Sequence, residues 1–108
     1  MIYSVDAIRS ILAPIAEKYH LRAVYLFGSY ARGTATADSD IDLLVDTTGS
    51  SLDTLFKLGA LYMELSQAFD KEVDMITVSS LEQPAQRPSD ILFRDSVLKE
   101  RMRIYAVA

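Results

Sequence analysis

The stretch AVYLFGSYARGTATADSDIDLLVD occupies residues 23–46, and its reading decides the fold. Ala23-Val24-Tyr25-Leu26-Phe27 is a continuous apolar run ended by glycine, which predicts a strand covered on both faces and therefore central in its sheet. Ile41-Asp42-Leu43-Leu44-Val45-Asp46 alternates instead, sending Ile41, Leu43 and Val45 to one side and Asp42, Leu44 and Asp46 to the other, as a second strand does. Between the two, Ser29 opens a turn or short helix through Tyr30-Ala31-Arg32 that Gly33 stops, and the small polar residues Thr34 to Ser39 read as a loop.

Upstream, Val5, Ile8, Leu12, Ile15 and Tyr19 follow the spacing of one helix face, with Ser4 as N-cap. Pro14 interrupts that pattern; an interior proline costs about 3 kcal/mol, so a kink, a break or a helix held by packing is expected there. His20 falls at the helix end, where a basic side chain suits the dipole. Downstream, Ser50-x-x-Asp53 has capping-box character and introduces a helix to about Phe69, with Leu55, Leu58, Tyr62, Leu65 and Phe69 on one stripe. Glu72 to Val78 alternates as a third strand, Pro84 to Pro88 forms a loop, and Ser89 caps a last helix to about Lys99. The tail from Arg103 to Val107 suits either an edge strand or a continued helix. This order of elements is α/β (α+β), a small mixed sheet flanked by helices, with residues 1–108 as one domain.

Composition narrows the function. Half of the residues are hydrophobic, enough for a core, and no cysteine is present, which excludes a disulfide scaffold and a thiolate metal site. The net charge of −4 opposes direct nucleic-acid binding, which relies on clustered Lys and Arg. The N-terminal residues lack a signal-peptide pattern and no run is long enough for a membrane span, so a cytoplasmic protein without membrane attachment is expected. Four aspartates crowd Asp38 to Asp46, while Arg94, Lys99, Arg101 and Arg103 make the last stretch basic. Met63, Met75 and Met102 read as core or interface filler.

Asp40 and Asp42 stand two apart at the start of a strand, so both side chains project to one face. Two such carboxylates repel unless a cation lies between them, and oxygen-only donors point to Mg²⁺ or Mn²⁺ and not to zinc. Taken alone, the pair also fits strand-end residues in solvent. Gly28-Ser29, leaving a buried strand, offers free N–H groups and a hydroxyl to a phosphate, although an ordinary helix start would look the same. The two features gain weight together: if their strands are neighbours, a phosphate cradle and a cation site share one edge. Asp74 is the candidate third carboxylate, lying between Val73 and Met75 where an unpaired aspartate would be costly to bury. Arg32 suits either a triphosphate or an ion pair with a loop aspartate, and Asp38 and Asp46 are supporting or solvated groups.

Gly28-Ser29-Tyr30-Ala31-Arg32-Gly33 followed by Ser39-Asp40-Ile41-Asp42-Leu43, with the spacing G-S-x(10)-D-x-D, resembles the signature of the minimal nucleotidyltransferases of the DNA polymerase β-like superfamily. Val73-Asp74-Met75-Ile76 resembles the strand of their third carboxylate. The resemblance implies catalytic and metal-binding roles for Asp40, Asp42 and Asp74 on two Mg²⁺ ions, and nucleotide binding by Gly28, Ser29 and Arg32. It further implies an antitoxin that transfers AMP from ATP to a tyrosine of a HEPN-domain toxin and forms a hetero-oligomer with it. Neutralisation by stoichiometric binding alone is the competing expectation; a small-molecule or RNA nucleotidyltransferase is a third, disfavoured by length and charge.

Overall fold

The structure is a computed structural model that describes residues 2–84 and 87–107. Helix α1 runs over Val5–Lys18, and its Ser4 cap accepts the Ala7 N–H at 3.0 Å. The helix passes through Pro14 unbroken. Pro14 and Ser10, whose carbonyl loses its partner, are both exposed, so water takes up that carbonyl while Ile8, Leu12 and Ile15 hold the opposite face in the core. The helix ends at Lys18, and His20 adopts a left-handed turn at φ 55° beyond its C-cap Tyr19.

Strand β1 (Ala23–Phe27), short helix α2 (Gly28–Arg32) and strand β2 (Ile41–Asp46) follow as the sequence predicts. Helix α3 is Leu55–Phe69, and β3 is Val73–Thr77. A four-residue helix α4 (Val78–Leu81) follows, and α5 (Pro88–Glu100) leads into β4 (Met102–Ala106). The sheet order is β3-β2-β1-β4, with β2 antiparallel to β1 and parallel to β3, so β1 is interior as its composition demands. The tail is an edge strand antiparallel to β1.

The β2 alternation sorts the two faces. Ile41, Leu43 and Val45 join Val24, Leu26, Val73 and Ile104 beneath α1 and α3 in the main core. Leu44, Phe27 and Val97 of α5 form a smaller cluster on the other face. Burying Ile8, Leu12, Leu61, Leu65 and Phe69 completely stabilises this arrangement by about 1.5–3 kcal/mol each.

Local expectations failed in three places. Thr54, not Ser50, caps α3: its hydroxyl accepts the Lys57 N–H at 3.2 Å, while the Ser50 hydroxyl closes its own turn on the Thr47 carbonyl. The buried stripe of α3 is Leu61, Leu65 and Phe69; Leu55 is 86% exposed and lines an open cavity beside β3. Met63, at 56% exposed, lies outside the core, which leaves the interface half of its expected role. The last helix starts at Pro88, which fits the first helical position where no N–H is required, so Ser89 is not its cap. Part of the loop expected over Pro84 to Pro88 lies outside the described residues.

Candidate active site

The pairing of the strands assembles the site. In the antiparallel β1–β2 ladder Phe27 stands opposite Asp42, so Gly28, the next residue, arrives beside that carboxylate. In the parallel β2–β3 ladder Asp42 stands opposite Asp74. Three segments far apart in sequence thus meet at one rim of the sheet, on the face that also carries Leu44 and Ile76.

Gly28 is required there on two grounds. Its φ of +72° is a conformation L side chains rarely adopt, and a Cβ would lie 2.0 Å from Asp42 Oδ2. The backbone therefore passes directly against the carboxylate. The Ser29 side chain is half-buried and makes no hydrogen bond among the described residues, leaving its hydroxyl available. Gly33, at φ 77°, closes α2 in a left-handed cap.

Asp40 immediately precedes β2 and is exposed. The loop leading to it is fastened internally: the Thr36 N–H donates to Ser39 Oγ at 2.8 Å and the Ser39 N–H to the Thr36 carbonyl at 3.1 Å. Lys71, next to β3, donates to the Ala37 carbonyl at 2.7 Å and ties the loop down. Ser39 thus acts as a turn-forming residue, a role visible in sequence only as the serine before Asp40.

Asp42 is half-buried, and its carboxyl is pushed up to about 6. Burial contributes most, followed by hydrogen bonding with Asp74 and repulsion from Asp74 and Asp40; Arg32 opposes the rise. Asp74 corrects the sequence argument. It is exposed, on an edge strand, so burial cost does not account for it. Register brings it to the site, opposite Asp42 and within hydrogen-bonding reach.

Arg32 also departs from expectation. Its partner is Glu100, not a loop aspartate, with Nη1 3.1 and 3.0 Å from the two carboxylate oxygens. Glu100 Oε1 also accepts the Gly28 N–H at 3.1 Å. Glu100 is not legible in the sequence, since a lone glutamate at the end of a helix carries no signature of a contact 72 residues away.

Among the described residues no three acidic side chains converge as a finished metal cage. The donor set nonetheless fits a hard divalent cation: only oxygens are offered, and the mutual repulsion recorded at Asp42 is what such a cation relieves. Cavities of about 490 and 370 Å³ flank the far end of β3, but neither is lined by Gly28, Ser29 or the aspartates, which stand on an open rim.

The chain belongs to the nucleotidyltransferase domain family, whose sequence pattern matches residues 8–103. Within that family it is of the minimal type. It is 35% identical over 82 residues to the protein adenylyltransferase MntA of Thermococcus cleftensis, covering 72% of this chain and 81% of the relative. A Methanocaldococcus jannaschii protein, provisionally named a protein adenylyltransferase, is 32% identical over 94% of this chain and 98% of its own length. A solved structure provisionally assigned as a minimal nucleotidyltransferase superposes with a TM-score of 0.63 at 30% identity, covering 91% of this chain and 90% of that one. A toxin–antitoxin structure with AMP-PNP shares the fold, with a TM-score of 0.68 at 22% identity over 92% of this chain and 73% of that one.

Proposed function

We propose that this chain is a protein adenylyltransferase antitoxin that transfers AMP from ATP to a tyrosine hydroxyl of a HEPN-domain toxin in the cytoplasm, releasing pyrophosphate. The observation that carries the reading is the meeting of Gly28, Asp42 and Asp74 at one rim. Nucleotidyl transfer needs a phosphate cradle beside clustered carboxylates, and a surface kept only for binding has no use for a half-buried carboxylate held against its neighbours.

In this mechanism the Ser29 hydroxyl and the N–H groups around it, other than the Gly28 N–H that Glu100 takes up, hold the β- and γ-phosphates. Asp40, Asp42 and Asp74 would hold Mg²⁺, which when bound neutralises the phosphates and acidifies the acceptor hydroxyl. The acceptor oxygen bonds to the α-phosphorus as the bond from that phosphorus to the β-phosphate bridging oxygen breaks. The hydroxyl proton passes to the Asp74 carboxylate, which is exposed and therefore reachable by an acceptor carried on another chain. Positioning and charge stabilisation supply most of the rate. Arg32, whose Nη1 is paired with Glu100, shapes the turn and has its remaining N–H groups to offer a phosphate.

A protein acceptor is supported by the open rim and by exposed apolar side chains. Phe56 of α3 is 86% exposed and Leu92 of α5 68%, more than a domain acting alone needs to present. The test is to incubate the chain with the toxin encoded beside it, Mg²⁺ and ATP, and to weigh the toxin. A gain of one or more AMP masses, lost in the Asp40→Asn/Asp42→Asn double variant, supports transfer. A tight complex with no mass gain would establish the stoichiometric binder instead.

A further inference from the structure

Glu100 closes α5, one residue before the Arg101 C-cap gives way to β4, and its side chain is only 22% exposed. The carboxylate makes its contacts toward the Gly28–Arg32 segment, accepting from the Gly28 N–H at 3.1 Å and from Arg32 Nη1 at 3.1 and 3.0 Å. Both contacts meet a local need. The α2 N-cap is Phe27, which has no side-chain acceptor, so the first turn of α2 has no cap of the kind that Ser4 gives the third residue of α1 and Thr54 the third residue of α3, and its first N–H, that of Gly28, needs an acceptor from elsewhere. Glu100 supplies that acceptor from the far end of the chain. Arg32, half-exposed at 51%, is the cation whose charge is felt at Asp42, and without an anchor its guanidinium is free to pair with the site carboxylates.

We propose that Glu100 is a positioning residue for nucleotidyl transfer, its carboxylate fixing the Gly28 backbone against Asp42 and holding the Arg32 guanidinium off the aspartates. This rests on the function proposed above. It assigns Glu100 a role that neither the G-S turn nor the aspartate motif contains, and it makes α5 part of the nucleotide site.

Three variants test it: Glu100→Ala, Glu100→Gln and the double variant Arg32→Ala/Glu100→Ala. Each is assayed for the KM of ATP, kcat and the thermal midpoint. Glu100→Ala is expected to raise the KM for ATP about tenfold, within the roughly hundredfold that a misplacement of about 1 Å can cost. Glu100→Gln keeps a neutral acceptor for Gly28 and should fall between it and the wild type. Removing Arg32 from the Glu100→Ala background should recover part of the loss, because the unanchored cation is gone; a purely structural ion pair gives no such recovery. A lower KM in Glu100→Ala would overturn the proposal, showing that the carboxylate competes with the phosphates. An unchanged KM and kcat with a lowered midpoint would overturn it as well, leaving Glu100 a stabilising contact only. If the wild type transfers no AMP, the proposed function fails first, and the variants are compared by Mg·ATP binding. Wild-type binding weakened by Glu100→Ala would then keep Glu100 as a positioning residue of the nucleotide site alone, and no wild-type binding would sink both.

Discussion

Asp42→Asn should stabilise the metal-free protein while abolishing its nucleotide chemistry. The folded chain holds the Asp42 proton to about 6 against an ordinary value of 3.8, chiefly because the carboxyl is buried and secondarily because Asp74 and Asp40 crowd it. Between those two pH values the folded state carries a proton that the unfolded state has released, so stability falls as pH rises and the full penalty stands above about 6. The rise, at about 1.4 kcal/mol per pH unit, sets a ceiling of about 3 kcal/mol. Asp42 is only half-buried, and solvent screening reduces the expected gain to about 1–2 kcal/mol. Asparagine has the same shape and no charge, so it removes the repulsion without opening a cavity. Urea denaturation in chelator at pH 4, 5, 6 and 7.5 measures this. The variant should match the wild type at pH 4 and exceed it at 7.5. Adding Mg²⁺ and ATP should reverse the order, because only the wild type gains binding stabilisation, about 2.7 kcal/mol at a hundredfold excess over Kd. A wild type more stable than the variant at pH 7.5 without metal, or a difference that ignores pH, would refute the electrostatic reasoning.

Mg²⁺-dependent nucleotide binding should weaken below about pH 6 as Asp42 takes up its proton, which calorimetric titration from pH 5 to 8 would follow. Gly28→Ala combines a left-handed backbone with a Cβ 2.0 Å from Asp42 Oδ2; it should cost at least about 1–3 kcal/mol in denaturation and eliminate transfer. Asp74→Asn, at an exposed position, should leave stability unchanged or raise it by up to about 1 kcal/mol at neutral pH, since it relieves part of the repulsion on Asp42, yet reduce transfer by orders of magnitude, a separation read from melting and single-turnover assays on the same sample. Phe69→Ala removes a fully buried ring and should destabilise by about 3–5 kcal/mol, lowering the amount of folded protein but not the KM of what remains.

Strand and helix periodicity made most of the fold legible. The two faces of β2 were readable from its alternation, and the interior place of β1 from its unbroken apolar run, because both patterns report burial directly. The errors in the fold gather at helix starts. Ser50 and Ser89 look like caps as well as Thr54 does, but the Ser50 hydroxyl is spent on its own turn and Pro88 takes the first helical position ahead of Ser89. Leu55 fits the apolar stripe of α3 but stands exposed in its first turn.

At the site, the sequence by itself determined which groups are offered: a glycine where the backbone must approach closely, a serine beside it, and carboxylates with no histidine or cysteine near them. Those residue types limit the possible ligands whatever surrounds them. Only the tertiary structure decided which residues act together. Asp74 reaches Asp42 through a parallel register that no local pattern encodes, and it does so exposed, not buried. Glu100 reaches Gly28 and Arg32 because α5 returns across the sheet to the start of α2. Contacts at such separation come from packing of whole elements, and a one-dimensional pattern carries no record of where a helix end will land.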